Sequence, residues 1–94
     1  MRRGELTAER FCAELGEEIR RGRQKAGLSQ EELGERIGLH RNSVARYEGG
    51  ADIPMMVFVR LCVALGMPTK DVLDRVLGED SSARIRKANG LRGR

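Results

Sequence analysis

The stretch LSQEELGERIGLHRNSVARYEGG, residues 28–50, constrains this chain more than any other part of it, because Gly38 interrupts a strongly helical pattern that resumes within three residues. Glycine inside a helix costs about 1 kcal/mol relative to alanine, so its presence here needs a reason. Ser29 stands three residues before Glu32, which makes a capping box, and Leu28 is placed to staple onto Leu33. Together they predict a helix beginning at Gln30. Its inner stripe, Leu33, Gly34 and Ile37, ends at Gly38. A second helix is predicted from about Arg41 to Glu48, with Val44 and Tyr47 facing inward and Gly49-Gly50 ending it. The link between the two is so short that the chain must change direction sharply, and one residue with positive φ is needed; glycine supplies it without steric cost. Gly34 answers a second need, a small residue where two steeply crossing helices come closest. Gly38 therefore reads as a hinge between two helices rather than as a blemish in one.

The flanking sequence supplies three more helices. Phe11, Leu15, Ile19 and Ala26 recur at helical spacing over residues 8–26, and Gly27 provides a stop. Ile53-Pro54 forces an extended residue and then permits a new helix start. MMVFVRLCVAL, residues 55–65, is apolar nearly all round, as expected of a helix at the centre of a small bundle, and Gly66 ends it. Thr69 is expected to cap a last helix over residues 70–77, in which Val72, Leu73, Val76 and Leu77 make a wide apolar face. That face either covers the first and fourth helices or is left over and marks a homodimer interface. With only 3% aromatic residues and few β-branched runs, the chain is expected to be all-α. The 94 residues divide into a flexible N-terminus over 1–7, one domain over 8–77, and a basic, disordered tail over 78–94.

The formal net charge of +4 is concentrated rather than spread. Arg84, Arg86, Lys87, Arg92 and Arg94 follow the last acidic residue, Asp80, and the rest of the chain is close to neutral. Within that body, Arg20, Arg21, Arg23, Lys25, Arg36, Arg41 and Arg46 stand against Glu31, Glu32 and Glu35, whereas residues 5–18 are acidic. Such segregation suits either a polyanion-binding face or ordinary solvated helix charges. The longest apolar stretch is too short to cross a bilayer and contains Arg60, and no secretory signal pattern opens the chain, so a soluble, cytoplasmic protein with no membrane partner is expected. Cys12 and Cys62 lack C-x-x-C spacing and read as two small buried side chains.

Over residues 15–77 the chain resembles the Cro and phage-repressor-like (XRE-type) helix-turn-helix family, in LGEEIRRGRQKAGLSQEELGERIG, in LHRNSVARYEGG and in LCVALGMPTKDVL. The resemblance implies a compact five-helix lambda-repressor-like DNA-binding domain with its helix-turn-helix at the second and third helices, binding double-stranded DNA as a dimer with the third helix in the major groove. The positions matching the family's base readers are Arg41, Asn42 and Arg46, with Ser43 and Ala45 close to the groove. Side-chain chemistry agrees: arginine matches the two acceptors of guanine, and asparagine the acceptor and donor of adenine. Gln30 and Ser29, at the start of the second helix, match a phosphate-holding position, where free backbone amides add to the attraction. The family also pairs an arginine late in the first helix with a glutamate ending the third, which assigns Arg23 and Glu48 to a structural ion pair with Arg23 within reach of a phosphate. Two features depart from the pattern. His40 takes the N-cap of the third helix, usually serine or threonine, and is expected to cap less well or to meet a phosphate or base. The basic tail has no counterpart.

No serine-histidine-acid set, phosphate loop or metal-spaced cluster is present, and the neighbouring pairs Glu17-Glu18 and Glu31-Glu32 point different ways on their helices. No enzymatic activity, cofactor or metal is expected. The expected function is a sequence-specific transcriptional regulator, a repressor acting as a homodimer on a palindromic operator, with RNA polymerase as a further partner if it activates. The alternative is an antitoxin or other protein-interaction module in which the apolar last helix and the basic tail bind another protein, such as a toxin, and DNA binding is secondary or lost.

Overall fold

The computed structural model describes residues 6–78, so most of the expected flexible N-terminus and nearly all of the basic tail lie outside the described residues. Five helices follow in order: α1 Ala8–Lys25, α2 Gln30–Ile37, α3 Arg41–Glu48, α4 Met55–Leu65 and α5 Thr69–Leu77. Each begins within a residue of its predicted start, because the start signals are local. Ser29 Oγ accepts from the Glu32 amide at 3.0 Å and the Glu32 carboxylate accepts from the Ser29 amide at 2.8 Å, so the capping box closes in both directions. Thr7 caps α1 in one direction only, its hydroxyl accepting from the Arg10 amide at 3.1 Å.

Helices of eight residues are unstable alone, and α2 and α3 persist because each donates an apolar edge to one shared core. Leu15 and Ile19 of α1, Leu33 and Ile37 of α2, Val44 of α3, Phe58, Leu61 and Cys62 of α4, and Val72 and Val76 of α5 form it. Tyr47 is buried beside them, and Leu28 packs against the cluster from the residue before the α2 cap, where the staple places it. α2 packs on α3 and α4, while α1 packs on α3, α4 and α5. The helix pair is thus braced from behind on two sides.

Four expectations are corrected. α4 is not wrapped on all sides: Phe58, Leu61 and Cys62 are buried, but Met55, Met56 and Val63 are 69%, 66% and 73% exposed. Conversely, Val72 and Val76, expected on a leftover dimer face, are 0% and 3% exposed and complete the core against α1 and α4. Only Leu73 and Leu77 of that face stay half-buried. Thr69 does not cap α5 but lies in its first turn after Pro68, which supplies no side-chain hydrogen bond. Burial pushes the nearby Cys62 thiol up from its ordinary pKa, and the Thr69 side chain offsets part of that rise. Cys12 is half-buried rather than buried, and both cysteines are free.

Candidate nucleic-acid interface

The interface is organised by the turn between α2 and α3. Gly38 ends α2 at φ 74°, ψ 32°, the left-handed conformation that any other residue would adopt only with strain. Its amide and that of Leu39 both turn back to the Gly34 carbonyl, the latter at 2.8 Å. Gly34 is required for a different reason. A Cβ there would stand 2.3 Å from the Leu39 carbonyl oxygen, so the helix and the turn meet backbone to backbone. His40 then caps α3, its Nδ1 accepting from the Asn42 amide at 3.0 Å. The histidine ring thus replaces the usual hydroxyl, and its side chain is committed to the helix start.

The inward face of α3 is locked. Glu48 is buried and accepts from Arg23 through two bonds, Nε at 2.6 Å and Nη2 at 3.0 Å, and from Gln30 Nε2 at 3.0 Å. Arg23 Nη1 also donates to the Leu28 carbonyl at 2.9 Å. One fork therefore ties the end of α1, the α1–α2 loop, the start of α2 and the end of α3 into a single knot. The hydrogen bonding of Arg23 to the Glu48 carboxylate is the chief cause holding the guanidinium above its ordinary pKa. The expected ion pair is what the geometry holds, and Arg23 is largely spent on it. Gln30, expected to face a phosphate, turns its amide nitrogen to Glu48. Ser29 is exposed but closes the capping box, with Glu31 and Glu32 adding negative charge to the same turn.

The outward face is different. Arg41, Asn42 and Arg46 are all exposed on one side of α3, with Ser43 and Ala45 half-buried beside them. Among the described residues neither Arg41 nor Arg46 has a carboxylate partner; Arg46 has its guanidinium carbon 5.6 Å from the centroid of the neighbouring Tyr47 ring. The arginines of α1, by contrast, are neutralised: Arg20 pairs with Glu17 at 3.7 Å, and Arg21 and Arg75 share Glu18 at 3.1 and 2.7 Å. The positive segment seen in the sequence is therefore not one free face. What remains available to a polyanion is concentrated on α3, the end of α2 and Lys25.

Sequence reasoning missed two contributors. Gly16 lets α1 approach α3 so closely that a Cβ would stand 2.4 Å from the Tyr47 carbonyl oxygen; its helical position gives no sign of this. Arg60, the lone charge in α4, donates to the carbonyl of Ile37 at the end of α2. A solitary charge in an apolar run was the signal that could have marked it.

An all-α domain in which a short, exposed, cationic helix is presented by a tight glycine turn and held rigidly from behind is a helix-turn-helix domain. A family described as the helix-turn-helix domain matches residues 14–76, and the chain belongs to that family, of the Cro and phage-repressor type that its motifs resemble. Endothelial differentiation-related factor 1 of Rattus norvegicus is 34% identical over 71 residues, which is 72% of this chain and 48% of that protein. Its Danio rerio homologue is 34% identical over the same length, covering 49% of that protein. The chain thus spans about half the length of these relatives. An uncharacterised HTH-type transcriptional regulator of Bacillus subtilis (strain 168), YgzD, is 39% identical over 51 residues, covering 53% of this chain and 77% of that one. No helix among the described residues is long and apolar enough to cross a membrane.

Proposed function

We propose that this chain is a sequence-specific regulator of transcription that binds duplex DNA through α3 and represses by occupying promoter DNA. The observation that carries the reading is the contrast on α3 itself: Arg41, Asn42 and Arg46 are exposed on one side with no carboxylate partner among the described residues, while Val44, Tyr47 and Glu48 are buried on the other. A rigid helix with bidentate donors on its open face is what base-edge readout in a major groove needs. In this reading Arg41 and Asn42, in the first turn, and Arg46, one turn on, contact bases, with Ser43 at the rim. Phosphates are met by the Gln30 and Glu31 amides, the first-turn donors of α2 that neither an intrahelical carbonyl nor the capping box takes, with Ser29 beside them. Gln30 and Arg23 act indirectly, through Glu48. His40 serves mainly to start α3.

One eight-residue helix reads few base pairs, which supports a homodimer on a two-fold symmetric operator. The burial of Val72 and Val76 moves the expected contact away from α5 and toward the apolar side chains left in solvent on α4, Met55, Met56 and Val63. The same side chains support the second reading, a module whose main partner is another protein such as a toxin.

Selection of bound duplexes from a random DNA pool at physiological salt decides between them, because salt suppresses phosphate-only binding while specific complexes survive. An enriched palindrome with half-sites about one helical turn apart is the expected result. Enrichment of a single half-site would remove the dimer, and no enrichment would remove the regulator reading.

A further inference from the structure

Arg60 interrupts the apolar sequence of α4 and has no carboxylate partner among the described residues. Its side chain runs beside an open groove of about 270 Å³ between α2 and α4, lined by Ile37, Val59, Val63 and Ala64 with Arg36 at the edge. Its Nη2 donates to the carbonyl oxygen of Ile37, the last residue of α2. The same nitrogen lies 3.8 Å from where a Cβ on Gly38 would stand, so the guanidinium rests directly against the turn.

That carbonyl matters. A helix leaves its last carbonyls without intrahelical donors, and a cation at this end also meets the negative end of the helix dipole. Among the described residues no backbone amide of the turn donates to the Ile37 carbonyl, and those of Gly38 and Leu39 return to Gly34. The turn's local ties are the Gly34 carbonyl behind it and, ahead of it, the ring and carbonyl of His40, which accept amides from the first turn of α3. Among the described residues, the Arg60 bond is the only hydrogen bond that reaches residues 37–40 from outside α2 and α3.

We propose that Arg60 is a positioning residue for DNA recognition: it clamps the α2–α3 turn to α4 and so sets the angle at which Arg41 and Asn42 leave the protein. The proposal rests on the DNA-binding reading above. Only three residues separate Ile37 from Arg41, and one of them, Gly38, has no side chain to restrain it, so slack at the Ile37 carbonyl passes directly into the start of α3. Phosphate contacts tolerate such slack better than bidentate base contacts do. Losing the clamp should consequently weaken specific binding while leaving non-specific binding in place.

The test uses Arg60→Met, which keeps the apolar stem and removes the donors, and Arg60→Lys, which keeps a cation able to reach the carbonyl. Amide hydrogen exchange in the free protein should rise roughly tenfold at Gly38 and Leu39 in Arg60→Met, the fold-change of one such hydrogen bond, while Ile19 in the core is unchanged. Affinity for the selected operator should fall by a similar factor, affinity for an unrelated duplex should not change, and Arg60→Lys should restore most of both losses. Unchanged exchange at the turn would overturn the clamp whatever the DNA result. Faster exchange spread evenly over all helices would make Arg60 merely structural and overturn it too, as would a loosened turn with operator affinity intact. If the parent protein selects no operator, the regulator reading fails and takes the positioning role with it, while the exchange data still report on the clamp.

Discussion

The back and the front of α3 carry similar charged groups arranged to opposite ends. At the back, Glu48 is buried and its carboxylate is saturated by Arg23 and Gln30, so charge there is converted into a fixed junction between three segments of the chain. At the front, Arg41 and Arg46 are exposed and unpaired with any described carboxylate. A buried ion pair costs desolvation and is harmful to break, whereas an exposed cation costs nothing to hold in reserve for a ligand. The difference shows that an arginine in this fold is structural or functional according to its tertiary partner, not its place in a basic segment.

The sharpest way to break this comparison is Glu48→Ala. It strands Arg23 and Gln30, and the expected loss is on the order of 3–5 kcal/mol of folding stability by urea denaturation. Joint replacement, Arg23→Met with Glu48→Leu, should recover much of it; a single mutant within about 0.5 kcal/mol of the parent would mean that the knot holds nothing. Next in size, Arg46→Ala should cost about 1–3 kcal/mol of operator affinity in a titration and leave the denaturation midpoint where it was. If instead stability fell and affinity held, front and back would have been misassigned. Ser29→Ala should cost about 1 kcal/mol of stability, read as faster amide exchange in the first turn of α2.

The smallest effect is one of pH. Hydrogen bonds to Glu32 from the Ser29 backbone, and secondarily its side chain, hold this exposed carboxyl below its ordinary pKa. A depressed value in the folded state means that the stabilisation is present above the ordinary carboxylate range and is lost as pH falls through the lowered value. Protection of the amides at the start of α2, taken relative to their unstructured exchange rates, should fall over that acid window in the parent and show no such fall in Glu32→Gln.

Nearly all of α2, the turn and α3 could be read from the sequence, and α4 and α5 much less well. The reason is visible in Val72 and Val63. Both are valines in apolar helices, and periodicity identifies both as candidates for burial, yet Val72 is inaccessible and Val63 stands in solvent. Hydrophobic pattern reports what a helix could bury, but the arc actually covered depends on how many neighbours reach it, and α1 covers α5 while one flank of α4 is left open. The candidate site divides the same way. The exposure of Arg41, Asn42 and Arg46 follows from the periodicity of α3, whereas the turning of Gln30 to Glu48 and of Arg60 to Ile37 joins residues far apart in the chain.

What the sequence determined by itself is whatever depends on interactions within about four residues: the helix starts, the Ser29–Glu32 capping box, the left-handed Gly38 and the spacing of the outward side chains on α3. Tertiary structure alone decided how the charges are shared. Arg23, Arg60 and Arg75 reach partners 25, 23 and 57 residues away, and only the packing of the helices brings those groups within hydrogen-bond distance. Local chemistry can announce a cation, but whether it remains free for a ligand depends on which carboxylates and carbonyls the fold carries to it.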